Sequence, residues 1–261
     1  MNAMLEVSSV SIAFGGIKAV RDVSISVPVG TVFSIIGPNG AGKTTLFNII
    51  SGVYLPQGGA IRLNGKDVTR MRPDALAREG MSRTFQNLQV FMQMSAVENV
   101  MVGRHMHERS RMFSQLFSLP WAVRENRASQ ERSRELLQFV GLGSYADRSA
   151  AAMPYGALKK LELARALATE PKMILLDEPA AGCNPAETME VEKLVRKIAS
   201  SGVTVLLVEH DMKLVMRISD RIHVLDGGQT ICEGTASEVQ RNERVIAAYL
   251  GDHGRREAAN A

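Results

Sequence analysis

Eight consecutive residues constrain this chain more than any other feature: Gly37-Pro38-Asn39-Gly40-Ala41-Gly42-Lys43-Thr44. They follow Val32-Phe33-Ser34-Ile35-Ile36, a run with the length and continuous apolar character of a buried parallel strand. Helical character follows from Lys43 to about Ile50. Strand, glycine-rich loop and helix in this order let successive backbone N–H groups turn inward on phosphate oxygens. Glycines at 37, 40 and 42 permit backbone shapes closed to other residues. The helix start adds the positive end of its dipole. Lys43 is expected to reach the β- and γ-phosphates, with Thr44 ligating Mg²⁺ and Thr45 beside it. The loop alone does not separate ATP from GTP, or hydrolysis from phosphoryl transfer.

The rest of the chain supplies a setting for that loop. Residues 5–13 partly alternate and 23–27 alternate cleanly, as strands do. Ala60–Leu63 runs into an Asn64-Gly65 hairpin turn. Residues 90–160 carry few β-branched runs, and Leu136, Leu137, Phe139 and Val140 have helical spacing, so a mostly helical lobe is expected there. Apolar strand runs return at Met173–Leu176, Val203–Val208 and Ile222–Leu225, with a helix over Glu187–Ala199 between the first two. Strand–helix–strand order of this kind predicts a mainly parallel α/β sheet with helices on both faces. Residues 254–261 are polar and small and are expected to fray.

Two of these strands end in groups suited to phosphate chemistry. Met173–Leu176 leads into Asp177-Glu178-Pro179, and carboxylates at such a strand end sit where open α/β sheets bind ligands. Asp177 would bind Mg²⁺, while Glu178 can act as a base on an attacking water. The alternative is a pair of acids that caps the next helix. Val203–Val208 ends in Glu209-His210-Asp211, which puts His210 at the same edge, able to orient that water. By itself a histidine after a strand is more often structural.

Composition excludes some classes. The 261 residues are 45% hydrophobic and 22% charged, and no apolar run approaches the roughly 20 residues that span a bilayer. The opening MNAMLEVSSV lacks the features of a signal peptide, so the chain is expected in the cytoplasm, docked on other subunits if it works at a membrane. Cys183 and Cys232 have no metal-ligand spacing and read as reduced thiols. The net charge of +4 is scattered, and nucleic-acid contact is not expected.

The order of these motifs resembles the ATP-binding subunit of ABC transporters: the loop at 37–44, Gln86 after a strand, a signature region at 153–157, Asp177-Glu178, Ala180–Pro185, then His210. Phe14–Val20, Arg83–Asn87, Met101–His105 and Arg241–Gly251 make the chain most similar to the branched-chain amino acid importer ATPases, with close relatives that handle urea, amides or other small polar solutes. The resemblance covers residues 5–251 and implies one ABC ATPase domain over 1–251. In it, a P-loop NTPase core and an N-terminal antiparallel β subdomain occupy 1–89 and 161–251, a helical subdomain occupies about 90–160, and 252–261 form a tail.

It also implies roles and partners. Phe14 would lie near the adenine, where it stacks or is a plain core aromatic. Gln86 would join the Mg²⁺ site and the catalytic machinery of Glu178 and His210. Residues 87–97, with Leu88, Val90, Phe91, Met92 and Met94, would form a groove for a cytoplasmic helix of a membrane subunit, or else core of the helical lobe. Asn184 and Pro185 belong to the segment that crosses to a second ATPase subunit, identical or not. Two permease subunits and, indirectly, a periplasmic solute-binding protein complete the assembly at the cytoplasmic face of the inner membrane.

The chain departs from this family at its signature, which usually reads Leu-Ser-Gly-Gly-Gln or Leu-Ser-Tyr-Gly-Gln. Here it is Met153-Pro154-Tyr155-Gly156-Ala157. Pro154 offers neither hydroxyl nor N–H, so a contact to the partner's γ-phosphate is lost, and Ala157 lacks an amide side chain that could donate. The alternative is that the Gly156 backbone and the helix dipole suffice, leaving a modest defect. Two other classes remain to be set against a transporter. A DNA-repair or translation ATPase usually carries a long coiled coil or two ATPase domains in tandem, neither of which is expected from these 261 residues. A P-loop kinase would need an acceptor lid but neither the Gly156 region nor His210.

Overall fold

The structure, a computed structural model, describes residues 3–84, 87–107 and 120–249. Two sheets organise it. The first is antiparallel, with strand order β2-β1-β4-β5 built from β1 (Ala3–Phe14), β2 (Ile17–Pro28), β4 (Gly58–Leu63) and β5 (Lys66–Asp67). Asn64 and Gly65, both at positive φ, make the tight β4–β5 turn. The second sheet has order β10-β9-β3-β8-β7-β6. Its strands are β3 (Val32–Ile36), β6 (Met81–Arg83), β7 (Met173–Asp177), β8 (Thr204–Val208), β9 (Arg221–Asp226) and β10 (Gln229–Gly234). All pairs in it are parallel except β9–β10.

The continuous apolar runs are explained by burial on both faces. Strand side chains alternate between faces. Ile174 and Leu176 of β7 and Val205 and Leu207 of β8 join one core. Their neighbours Met173, Leu175, Leu206 and Val208 join another. The first core packs against helices α3 (Ala96–Arg104), α4 (Pro120–Phe139), α5 (Tyr155–Leu167) and α6 (Pro185–Ser200). The second packs against α1 (Lys43–Ile50) and the antiparallel sheet. A third, smaller core joins Ile36 and Val224 to Val215 of α7 (Met212–Ile218) and Val239 of α8 (Ala236–Arg241).

Between β6 and β7 the described elements are helical, with α3 against α4 and α5. Ser95 starts α3 with a capping box: its hydroxyl accepts from the Glu98 N–H at 3.3 Å, and its own N–H donates to Glu98 Oε2 at 2.7 Å. Of the apolar positions read on α4, Leu136 and Leu137 are buried, while Phe139 is half-buried beneath the Lys197 ammonium, 4.2 Å from its ring. The helix expected over Glu187–Ala199 starts two residues earlier, because Pro185 takes the first helical position and Asn184 caps it. A short helix at Pro73–Arg78 (α2) escaped the sequence reading, as a six-residue helix shows little periodicity. Residues 252–261 lie outside the described residues.

Candidate functional site

The phosphate loop leaves the C-terminal end of β3, which β8 and β9 flank. Its glycines are required by shape. Gly37 has φ +154, and a Cβ there would stand 2.1 Å from the Leu225 carbonyl oxygen. Gly42 has φ +98, and a Cβ there would stand 2.4 Å from the Ala19 carbonyl oxygen. Gly40, at φ +78, is conformationally special without being crowded. Pro38 and Ala41 are buried and Asn39 is exposed. The Lys43 ammonium donates to the carbonyl oxygens of Gly37 at 2.7 Å and Pro38 at 3.0 Å, folded back over its own loop. Thr44 is exposed and Thr45 half-buried. Together with Ile17, Lys18, Ala19, Arg21, Gly227 and Gly228 the loop lines a cleft of about 350 Å³. Phe14 is not among those lining residues: it is 45% exposed, edge-on to Tyr54 at 5.3 Å. That exposure excludes the core-aromatic alternative.

The acid pair sits at the end of β7. It does not cap the next helix, since Asn184 does that with Oδ1 accepting from Ala186 and Glu187 N–H groups. Asp177 is buried and paired with Arg83 Nη2 at 3.3 Å. Burial pushes the Asp177 carboxyl above its usual range, against the pull of Arg83. Burial likewise lowers Arg83, against the pull of Asp177. Desolvation thus outweighs mutual attraction for both partners. The guanidinium's Nη1 donates to Asn48 Oδ1 at 2.8 Å and Ser51 Oγ at 2.6 Å, and the group lies 4.8 Å from the Phe47 ring centroid.

Glu178 has φ +48, a conformation costly for a residue with a side chain. Its N–H donates to the Val208 carbonyl at 2.9 Å, and its carbonyl accepts from Ala181 N–H at 3.0 Å. His210 Nδ1 stands 3.5 Å from Glu178 Oε1, with the imidazole 65% exposed. A structural histidine in a core would be covered. Glu209 beside it is buried, accepts from the Ala180 N–H at 3.3 Å, and is pushed up in pKa by burial, opposed by that bond.

The sequence therefore located the loop, Asp177, Glu178 and His210 at one sheet edge. Gln86 lies outside the described residues. In the signature stretch Met153, Gly156 and Ala157 are buried, while Pro154 and Tyr155 are exposed. Pro154 is the N-cap of α5 and gives it no side-chain bond. The sequence reading passed over Arg83, Asn48, Ser51, Glu209 and Asn99. Only Arg83, a cation at the end of a short strand, left a signal. Asn99 is fully buried and ties the 91–95 turn: its amide accepts from Phe91 N–H at 2.9 Å and donates to the carbonyls of Phe91 and Ser95, each at 3.0 Å. Of the docking-loop residues, Leu88 and Val90 pack on the helical core, whereas Phe91, Met92 and Met94 are exposed.

A phosphate loop at the end of a parallel strand, flanked by an acid pair and a histidine, defines a nucleotide-hydrolysing α/β protein. Residues 20–181 match the ABC transporter family and residues 229–255 the branched-chain amino acid ATP-binding cassette transporter family. The chain belongs to the ABC transporter ATPases. It is 46% identical over 250 residues to the high-affinity branched-chain amino acid transport ATP-binding protein BraF of Pseudomonas aeruginosa, covering 95% of this chain and 98% of that one. The corresponding protein LivG of Escherichia coli is 40% identical, with the same coverage of 95% and 98%. The fold is similar to the ADP conformation of MJ1267, an ATP-binding cassette of an ABC transporter, with TM-score 0.84, 34% identity, and coverage of 96% of this chain and 100% of that one. No helix among the described residues is long and apolar enough to cross a membrane.

Proposed function

We propose that this chain hydrolyses ATP to drive uptake of branched-chain or related amino acids, seated on the cytoplasmic face of the inner membrane. The hydrolytic part is carried by the approach of His210 to Glu178, 3.5 Å apart, at the sheet edge that bears the phosphate loop. The solute class is supported by the match of residues 229–255 and by the relatives' transported amino acids.

Each residue has a task in this reading. The N–H groups of Gly37–Thr45 cradle phosphates in a backbone that no side chain could enter at 37 or 42. Lys43 exchanges its loop carbonyls for phosphate oxygens. Phe14, exposed beside Tyr54, offers the adenine a stacking face. Thr44 and Asp177, with Gln86, would hold Mg²⁺, which when bound neutralises phosphate charge. Glu178 accepts a proton from water as its oxygen bonds to the γ-phosphorus and the bond to the bridging oxygen breaks. His210 orients that water.

The chain works in a pair with a second ATPase subunit, under two permeases fed by a solute-binding protein. A cleft of about 440 Å³, lined by Leu88, Val90, Phe91, Glu162 and Arg165 among others, receives the permease helix beside the 87–97 loop. The head of α5 faces the partner's nucleotide. With Pro154 at its N-cap, only the N–H groups of the first turn remain to meet a phosphate there. Losing a donor to a charged group costs roughly 1.5–3 kcal/mol, so the site completed by this chain's α5 is the weak one and the site built on Lys43 and Glu178 the strong one. The test is an assembly carrying Glu178→Gln in this chain alone, assayed for ATP hydrolysis and leucine uptake in vesicles. Loss of both is expected, by about 10²-fold or more. Undiminished hydrolysis would refute the assignment.

A further inference from the structure

The turn that carries Glu178 is tied to the head of α5 by one side chain. The Tyr155 hydroxyl donates to the Ala181 carbonyl oxygen over 3.1 Å. Its ring covers Gly182 so closely that a Cβ there, at φ +79, would stand 3.0 Å from Cε1. Lys159, one turn along α5, is 2% exposed, and its ammonium has no hydrogen-bond partner among the described residues. That ammonium lies 5.8 Å from the Tyr155 ring centroid, where the ring face attracts it. The Glu187 side chain closes the other flank, since a Cβ on Gly156 would come within 2.6 Å of its Oε1. The head of α5 and the 181–187 segment are thus clasped at two points.

The clasp continues to the catalytic turn. Ala181 donates its N–H to the Glu178 carbonyl at 3.0 Å, so a displacement of the Ala181 peptide is felt at Glu178. Ala180 is held by Glu209, whose carboxylate also accepts from the His210 N–H at 3.2 Å. Glu178 is the strained residue of this turn, at φ +48, and small shifts there re-aim its carboxylate. A tyrosine that only filled the core would be covered, but Tyr155 is 43% exposed and reaches back to the turn with its one polar atom.

We propose that Tyr155 is a positioning residue that couples the two nucleotide sites of the ATPase pair, by holding the Glu178 turn in register with the head of α5. This rests on the ATPase reading given above. When α5 engages the partner's nucleotide, the phenol passes that engagement to Glu178 of the same chain, which acts on the other nucleotide.

The experiment uses the full chain in its transporter assembly. Tyr155→Phe keeps the ring on Gly182 and Lys159 and removes the donor. The expected result is a fall in kcat of roughly 5–10-fold, the rate equivalent of one neutral hydrogen bond, with KM for ATP and the melting midpoint unchanged. Gly182→Ala, which pushes the ring from the other side, is expected to lower kcat likewise and not additively with Tyr155→Phe. Unchanged kcat in Tyr155→Phe overturns the proposal. So does a loss of activity that only tracks a lowered melting midpoint, or full additivity of the two substitutions. Failure of the ATPase reading itself shows separately, as hydrolysis that survives Glu178→Gln in the same assembly.

Discussion

Replacing Arg83 by methionine isolates the Arg83–Asp177 ion pair at the floor of the site. Methionine has similar length and fills the space over Phe47, but it donates nothing. The bonds to Asn48 Oδ1 at 2.8 Å, Ser51 Oγ at 2.6 Å and Asp177 Oδ2 at 3.3 Å go. The side chains of Arg83 and Asp177 are only 14% and 11% exposed, so water cannot replace the lost partner. Breaking a buried pair from one side costs about 3–5 kcal/mol. The pair is 3.3 Å apart rather than in tight contact, so the lower end, about 3 kcal/mol, is expected. For a domain of this size that lowers the melting midpoint by about 6–12 °C. Urea denaturation of the nucleotide-free chain at neutral pH measures it, with an unchanged m-value confirming that only stability moved. In Arg83→Met/Asp177→Asn no buried charge is stranded, so the double variant should recover about 0.5–3 kcal/mol relative to the sum of the singles. A cost below about 1 kcal/mol for Arg83→Met, or strict additivity in the cycle, would refute the claim that the pair is coupled and desolvated.

Three further outcomes follow from the same geometry. Gly42→Ala forces a Cβ to within 2.4 Å of the Ala19 carbonyl oxygen at φ +98, so titration with a fluorescent ATP analogue should show affinity falling by about 5–150-fold, the equivalent of about 1–3 kcal/mol of strain. Asn99→Leu strands the Phe91 N–H and removes a second donor from the carbonyls of Phe91 and Ser95, which keep the N–H groups of Met94 and Asn99; this should cost roughly 1–3 kcal/mol in urea denaturation and expose the 87–95 turn to limited proteolysis. Burial raises Glu233, but bonds from His223 and Arg221 outweigh it and hold the carboxyl below its ordinary 4.5. A depressed carboxyl contributes stability that is present above pH 4.5 and lost as pH falls through the folded value, so Glu233→Gln should flatten the acid limb of a melting-midpoint profile below that pH.

What could be read in the sequence was whatever neighbouring residues encode together. The phosphate loop is contiguous, and its glycines state the backbone shape directly. The strands announced themselves because both faces of β3, β7 and β8 are buried, giving unbroken apolar runs. Asp177, Glu178 and His210 were found because each follows such a run. The Arg83–Asp177 pair was not, as its members are 94 residues apart and only the β6–β7 pairing brings them together. The Tyr155–Ala181 bond, across 26 residues, depends on how α5 packs on the turn. Asn99 carries no pattern at all: a buried amide whose partners are backbone groups looks like any helix residue in the sequence.

Strand order explains why these separate signals converge. Along the chain the sequence of carriers is β3 with the loop, β7 with the acids, then β8 with the histidine. In the sheet β8 lies between the other two. The last strand of the three is inserted at the centre, so His210 emerges between the phosphate loop and the acid pair. From there its ring reaches Glu178, while the β8 carbonyl at Val208 holds the Glu178 N–H. The same strand therefore fixes Glu178 through its backbone and His210 through its end. A shift of β8 relative to β7 moves His210 and the Val208 carbonyl together against Glu178, which follows β7, and so disturbs both contacts at once. A shift relative to β3 moves both against the phosphate loop. Hydrolysis should accordingly be sensitive to packing at both seams of β8, where Ile35 of β3 and Asp177 of β7 each pair with Val208.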